Sequence, residues 1–508
     1  MTTTVDPSCT TLPLELYPSM NPLALDLVRG RGNACRFFVS DDSPPAPNRP
    51  DGSLAAALAE QNLSWGNDVR AELESWSRGE SGVVVAGQQV GFGGGPLYTL
   101  VKLASLVNLK RRMAKEGRNV VALFWLATED HDFDEAARLS LFVDGKLKEF
   151  RAHADPALRV PVGPLPVPED LRRAVAGATD LPAEGWLEPE ISFRDSFARL
   201  IVSVLGSEVV LVDSLLPELR EAGAETFSKM AENLDAIQGS IAGRSERIES
   251  VGYRPQIQPS NGDRYTLFYE IDESGSRRQI EDGDRLRDLS GRKPRAISTA
   301  ALMRPLLQDA VFAPEVFVGG PAEVAYYAQL GGVYEMLGVR QPRVALRSHC
   351  LVVPEKMIRG VERHGIEPHE WLDAPEEILS RRERDREQRL TKRIDALKEH
   401  FSDELEEVRR SILHVDPSLT RSLNRTSRRI DYHLGVLDRR GKRVIARSDQ
   451  ERFAAVERFS DAVRPDGVVQ DRVVGWLSYW LMWGERLPDA LVPQAEPGKN
   501  QLKIIGIS

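Results

Sequence analysis

Two strand-turn-helix signals and one charged helical run predict a doubly wound α/β core on a parallel sheet, with connecting insertions and a helical coiled coil. The first signal is "SGVVVAGQQVGFGGGPLYTLVKLASL", residues 81–106, an apolar run that passes through a glycine-rich turn into an amphipathic helix. The second is "NVVALFWLATEDHDFDEAARL" at 119–139, an apolar stretch that stops abruptly in acids. Continuous apolar runs belong to strands buried on both faces. Strands alternating with helices make a parallel sheet whose ligands lie beyond the strands' carboxyl ends. The third signal follows Pro375, where Leu390, Ile394, Leu397, Phe401, Leu405, Val408 and Ile412 recur at steps of four and three with one stutter, a coiled-coil seam.

The remaining elements follow in order. "DDSPPAPNRPDGS" at 41–53 reads as an exposed connection, and a helical stretch runs from it to about residue 78. "DPALRVPVGPLPVPEDL" at 155–171 is an excursion from the core, and "EVVLVDS" at 208–214 resumes the sheet before a helical pattern to about Ser250. The β-like runs "QIQ" and "YTLFYEI" and the charged stretch after them form a second insertion, and "RVALRSHCLVV" at 343–353 is a late core strand. Pro417 ends the first long helix, and Leu419, Leu423, Ile430, Leu434 and Leu437 predict an antiparallel return. The expected division is a core over 1–370 with insertions at about 140–185 and about 250–296, a coiled-coil dimerisation domain over 371–460, and a C-terminal segment, 461–508, packing back on the core. A solvated helix face without a ligand is the plain reading of the charge run. Its apolar line still needs a cover, and a second copy of the chain is the simplest one.

With 508 residues, 41% hydrophobic and 28% charged, the chain is long enough for a sizeable core and more than one structural unit. A formal net charge of −9 argues against nucleic acid or an anionic membrane as the main partner. Three cysteines, Cys9, Cys35 and Cys350, stand far apart without a Cys-x-x-Cys, which fits a reducing compartment and offers neither a zinc site nor a disulfide framework. The first twenty residues lack the basic start and apolar run of a signal peptide, and no apolar stretch is long enough to span a bilayer, so a cytoplasmic protein is expected.

Three constellations carry candidate chemistry. "AGQQVGFGGGP" matches neither the P-loop nor the dinucleotide fingerprint, but Gly93, Gly94 and Gly95 permit close backbone approach and Pro96 suits a first helical turn. Gln88 and Gln89 add amide donors and acceptors at the strand end, and Tyr98 follows on the helix; Lys102, two turns along, sits deep. An anion held by the turn and the positive helix end is one reading, and a tight connection packing helix on strand is the other. "TEDHDFDE" gathers Glu129, Asp130, His131, Asp132, Asp134 and Glu135, carboxylates that repel one another unless a cation, a substrate ammonium or shared protons compensate. His131 is the natural general base at neutral pH; a hard metal ion and a helix-capping acidic turn are the rival readings, and no metal ligand set is assigned. In "MRPLLQDAVFAPEVFVGGPAEVAYYAQL", Arg304, Gln308 and Asp309 suggest a carboxylate clamp. There Gly319, Gly320 and Pro321 repeat the glycine-proline helix start, followed by Glu323, Tyr326 and Tyr327, so two such helix ends are expected to face one cleft.

Taken together, "AGQQVGFGGGPLYTLVK", "FWLATEDHDFDE" and "MRPLLQDAVFAPEVFVGGPAEVAYYAQL" closely resemble the bacillithiol biosynthesis cysteine-adding family of cysteine ligases, in order and spacing, across essentially the whole chain including the coiled coil and "LKIIGIS". The resemblance implies a Rossmann-like core related to class I aminoacyl-tRNA synthetases and nucleotidyltransferases, and a coiled coil used for homodimerisation. It also implies joining of L-cysteine to the glucosamine amine of glucosaminyl-malate as the last step of bacillithiol synthesis. On this reading Glu129, Asp130, His131 and Asp132 are the catalytic candidates. Gln88, Gln89, Gly94, Gly95, Tyr98, Arg304, Gln308, Asp309, Gly319, Gly320, Glu323 and Tyr326 are the substrate-binding ones. The chain departs from the wider superfamily in having no His-x-Gly-His and no Lys-Met-Ser-Lys-Ser-like loop. ATP with Mg is therefore expected only because a cysteine carboxylate must be activated before it acylates an amine, and no tightly bound cofactor is expected. The same core acting on a different small amine, or a non-enzymatic coiled-coil scaffold, are the alternatives.

Overall fold

The computed structural model describes residues 8–18, 20–39, 52–153, 159–179, 185–260, 262, 264–413 and 420–508. The connection read at 41–53, the excursion starting at 155, and the turn at Pro417 and Leu419 fall wholly or partly outside the described residues. The chain divides into two compact units, Met1–Val352 with Val468–Ile507, and Val353–Gly467.

The first unit is built on five parallel strands, β1 (Gly82–Gln89), β2 (Val120–Ala127), β3 (Val210–Asp213), β4 (Val316–Gly319) and β5 (Arg343–Leu346), in the spatial order β5-β4-β1-β2-β3. Val83 to Ala86 of β1 and Val120 to Leu126 of β2 are buried, as strands covered on both faces require. The helix Leu97–Lys115 packs its Leu100, Leu103, Ala104 and Val107 into the same core. Chain order reverses between β1 and β4, and in a doubly wound sheet that reversal opens a crevice past the strand ends.

Between β2 and β3 lies an antiparallel hairpin, Arg138–Val143 with Lys146–Arg151. Between β3 and β4 lies a small antiparallel sheet, Arg277–Ile280, Phe268–Ile271 and Ile297–Thr299. "YTLFYEI" supplies one of its strands, whereas "QIQ" forms none.

"RVALRSHCLVV" is two strands and not the single strand expected. β5 stops at Leu346, and His349–Pro354 joins a second sheet in which Gln501–Ile507 lies between it and Ser8–Pro13. The break has a local cause. The Arg347 N–H makes the last rung with β4, donating to the Gly319 carbonyl at 2.7 Å where that strand ends, and the Ser348 N–H turns away to Ser105 Oγ at 3.1 Å.

The second unit carries two long helices, Pro375–Leu413 and Thr420–Val463. A Cβ on Gly441 would stand 2.6 Å from Leu390 Cδ2, so the second backbone runs close against the first helix. Residues 390 and 441 lie about equally far from the link after 413, which makes the pair an antiparallel hairpin. Ile394 of the seam is buried, but Leu397, Phe401 and Val408 keep 41%, 40% and 41% of their surface exposed within one chain. Among the described residues no helix is long and apolar enough to cross a membrane.

Candidate active site

A cavity of about 340 Å³ opens at the crevice between β1 and β4. β1 brings Gly87, Gln88 and Gln89 to it, β2 and its extension bring Trp125, Glu129 and Asp130, and the turn after β4 brings Gly320 to Glu323. Tyr98, Lys102, Arg304, Tyr326, Arg347 and Arg472 complete the wall. A second cavity, about 440 Å³, adjoins it and shares Gln88, Gln89, Tyr98 and Arg472.

Lys102 is buried yet reaches this wall, because one helical turn separates it from Tyr98 and both side chains lie on the same face. Its Nζ donates to the Gly87 carbonyl at 2.8 Å, to Gln88 Oε1 at 3.0 Å and to Glu323 Oε2. Burial lowers its pKa, and Glu323 opposes that shift. Gln88 in turn donates to the Tyr98 hydroxyl at 3.3 Å, and burial pushes that hydroxyl up to about 12. Glu323 also accepts the Gly320 N–H at 2.7 Å and stands 3.8 Å from Arg304. The carboxylate therefore fills the helix start that was expected to receive a substrate anion.

Arg304 lines the cavity and donates to Gln308 Oε1 at 3.0 Å and to the Tyr326 hydroxyl; burial opposes its charge, and Tyr326, Tyr327 and Glu323 outweigh burial. Gln308 and Asp309 stand behind it and do not line the cavity. Gln308 donates to Asp309 Oδ1 at 2.9 Å, and the Tyr334 and Tyr327 hydroxyls close on Asp309 Oδ2. They buttress Arg304 and have no direct path to a ligand, which corrects the expected clamp. Gly319 is likewise a packing position, where a Cβ would meet the Phe317 ring at 2.6 Å.

Burial raises the Asp309 carboxyl to about 7, against the pull of Tyr334, Gln308 and Arg304. A folded-state value above the unfolded value of about 3.9 means that Asp309 contributes stability that is complete below about pH 4 and is lost as pH rises through about 7. Between pH 5 and pH 8 the denaturation midpoint of the parent is expected to fall further than that of Asp309→Asn. Parallel curves would place the titration elsewhere.

The acidic run disperses. Glu129 is buried, and its oxygens accept from Arg220 at 2.6 Å, Ser298 at 2.7 Å, the Thr299 N–H at 3.0 Å and Thr299 Oγ1 at 2.9 Å. Burial opposes its charge, but Arg220 and Arg277 outweigh burial and hold it below the usual carboxylate value. Asp132 is exposed and caps the turn ahead of it, accepting the Glu135 N–H at 3.0 Å. Asp134 lies 3.5 Å from His153, and Glu135 lines only the second cavity, where burial raises its pKa. Among the described residues no group of three His, Cys, Asp or Glu side chains stands together as a metal ion would need.

His131 does not line the first cavity. Its Nδ1 lies 2.8 Å from Arg277 Nη1, and a guanidinium only donates, so Nδ1 must accept and the ring proton sits on Nε2. Burial and the Arg277 and Arg159 charges lower its pKa. The nitrogen that would take a proton is thus occupied, which removes the reason for reading His131 as the base. Asp130 does face the cavity. Its side chain keeps 45% of its surface accessible while protein surrounds the mouth, and burial together with Glu129 raises it to about 6.

The glycine turn is also corrected. Gly93, Gly94 and Gly95 have φ of +66°, +82° and +77°, so glycine is required, but no ligand is the cause at Gly94. A Cβ there would lie 2.3 Å from the Trp476 indole, whose Nε1 donates to the Gly94 carbonyl at 2.8 Å. The Leu97 N–H at the helix start donates to the Val474 carbonyl at 2.8 Å, so the C-terminal segment closes the turn. Gly95 borders the second cavity, and Gln89 reaches the Asp132 carbonyl at 3.2 Å.

Sequence reasoning missed Trp125, Arg277, Arg347 and Arg472. Trp125 is buried on the cavity wall, and its indole N–H has no protein acceptor among the described residues. The arginines lie in stretches read as a continuous strand, an insertion and a packing segment, without a local signal. Lys102 carried one, its four-residue spacing from Tyr98.

Comparison with known proteins accords with this architecture. Residues 44–348 match the family described as Bacillithiol biosynthesis BshC, N-terminal Rossmann-like domain, and residues 350–507 match its C-terminal coiled-coil domain. Similar proteins named "Putative cysteine ligase BshC" include one from Bacillus cereus strain AH187, 27% identical with 88% of this chain and 90% of the relative covered. Another, from Solibacter usitatus, is 27% identical over 81% and 82% of the two chains. With both of its regions matched in order, the Rossmann-like core and the coiled coil, this chain belongs to the bacillithiol biosynthesis BshC family.

Proposed function

We propose that the protein is an amide-forming ligase that adds L-cysteine to the glucosamine amine of glucosaminyl-malate, the final step of bacillithiol formation. The observation that carries the reading is Asp130, a carboxyl that faces the cavity at the sheet's switch point and is raised to about 6 by burial and Glu129. Such a group is ionised at neutral pH yet basic enough to take a proton from an attacking amine. The amine nitrogen attacks the activated cysteine carbonyl, the carbon–nitrogen bond forms, the leaving group departs with its electron pair, and the amine proton passes to Asp130. Arg304 holds a substrate carboxylate, and Gln88, Gln89 and Tyr98 contact the sugar at the junction of the two cavities. ATP with Mg is the proposed source of the leaving group.

Incubation with glucosaminyl-malate and cysteine, with and without Mg-ATP, followed by mass spectrometry, tests the reaction. Bacillithiol is expected in the ATP arm, and its absence under every supplementation would refute the reading. Competition between glucosaminyl-malate and other small amines tests the acceptor.

We also propose a homodimer through the long hairpin. The support is the partly exposed seam, Leu397, Phe401 and Val408, whose line is too narrow to be a globular core. Leu397→Glu with Phe401→Glu is expected to sediment as a monomer; an unchanged dimer would put the interface elsewhere.

A further inference from the structure

Arg472 stands at the junction of the two cavities, contributes to the wall of both, and makes no ion pair among the described residues. Of the other cavity cations, Lys102 and Arg304 share Glu323, Arg347 pairs with Asp471 at 3.1 Å and Arg138 with Glu149 at 2.6 Å. An exposed guanidinium left without a carboxylate beside two cavities is a receptor for one.

It is also held in place. Arg472 Nε donates to the Tyr17 hydroxyl at 3.3 Å, and Tyr17 donates to Asp471 Oδ1 at 2.7 Å. Asp471 is fully buried, and its other oxygen takes Arg347, so one carboxylate orients both arginines without reaching a ligand itself. The Tyr17 ring is fixed by the edge of His349, 4.7 Å between centroids. A flexible side chain with an anchored Nε loses less freedom when it clamps a ligand.

We propose that Arg472 clamps a carboxylate of the malyl part of the substrate where the two cavities meet, and that Tyr17 and Asp471 are its positioning residues. This rests on the ligase reading for the identity of the substrate, but the anion clamp itself does not. Its chemistry requires only a ligand with a carboxylate at the cavity junction.

The test pairs kinetics with an activity-free probe. Arg472→Gln is expected to raise KM for glucosaminyl-malate on the order of tenfold or more, with kcat and the KM for cysteine little changed. It should weaken calorimetric binding of malate alone by a similar factor, and Arg472→Lys should restore part of both. Tyr17→Phe keeps the ring and should give a smaller rise in the same KM at constant kcat, a split that mere loss of folding would not produce. If the parent forms no bacillithiol but binds malate, and Arg472→Gln does not, the ligase reading falls and the clamp stands. If bacillithiol forms with the same KM in Arg472→Gln, the clamp is wrong and the ligase reading stands. A parent that binds neither malate nor glucosaminyl-malate also overturns the clamp.

Discussion

Asp130→Asn is expected to lower turnover by a factor of about 10² to 10⁴, the usual contribution of a general base, while leaving a folded protein. The parent's kcat/KM should fall as pH drops through about 6, where the Asp130 carboxyl takes up its proton. The residual activity of the variant should lack that limb. Stability should move the other way. Because the folded-state value lies above the unfolded one, ionised Asp130 opposes folding above about pH 6, and the asparagine variant should be equal to or slightly more stable than the parent at pH 8. His131→Ala should be milder in rate, since its Nδ1 is committed to Arg277. Turnover and its pH profile, measured with denaturation at pH 5 and pH 8, decide the matter. An Asp130→Asn enzyme with parental turnover would end the assignment.

Glu129→Gln, one residue away, should do the reverse and damage the fold first. It leaves the buried Arg220 guanidinium without its counter-charge, and breaking a buried pair from one side costs about 3–5 kcal/mol. The remaining Arg220 bonds, 2.7 Å to each of the Ser214 and Ile297 carbonyls, cannot neutralise it. The double variant Glu129→Gln with Arg220→Met carries no unpaired charge and should lose less than the single one. Acid should mimic the single variant. Glu129 is held below the ordinary carboxylate value, so its contribution is present above about pH 4 and is lost as pH falls through the depressed value. Denaturant midpoints of the two variants measure this, and a Glu129→Gln protein as stable as the parent would make the pair incidental.

These two neighbours show what could be read from residues alone and what could not. The apolar runs of β1 and β2 and the rule that ligands sit beyond strand ends point to Gln88, Gln89 and Asp130, and these three line one cavity, because local pattern determines both strand and strand end. The division of labour between Glu129 and Asp130 was hidden, since it depends on Arg220 and on a strand at Ile297–Thr299. Gly94 misled for the same reason, its neighbour Trp476 lying far along the chain. Gln308 and Asp309 read as ligand contacts from their place beside Arg304, but the helix turns Asp309 toward Tyr334 and Tyr327 and leaves Gln308 bridging it to Arg304. Contacts between distant segments, such as Lys102 with Glu323 or Arg347 with Asp471, leave no mark on either segment by itself.

The strand Gln501–Ile507 lies between Ser8–Pro13 and His349–Pro354, and this affects how the molecule is made. On the ribosome, the strand Ser8–Pro13 waits for a partner that emerges only after the whole of Val353–Gly467 has been synthesised. Until then the glycine turn has no Trp476 against it, and the helix start at Leu97 has no Val474 carbonyl to bond. Such a nascent chain holds an unpaired strand edge and an open apolar wall, the conditions under which unfinished proteins associate wrongly. Arrival of Gln501–Ile507, and not completion of the five-stranded sheet, is then the step at which this polypeptide becomes safe from aggregation.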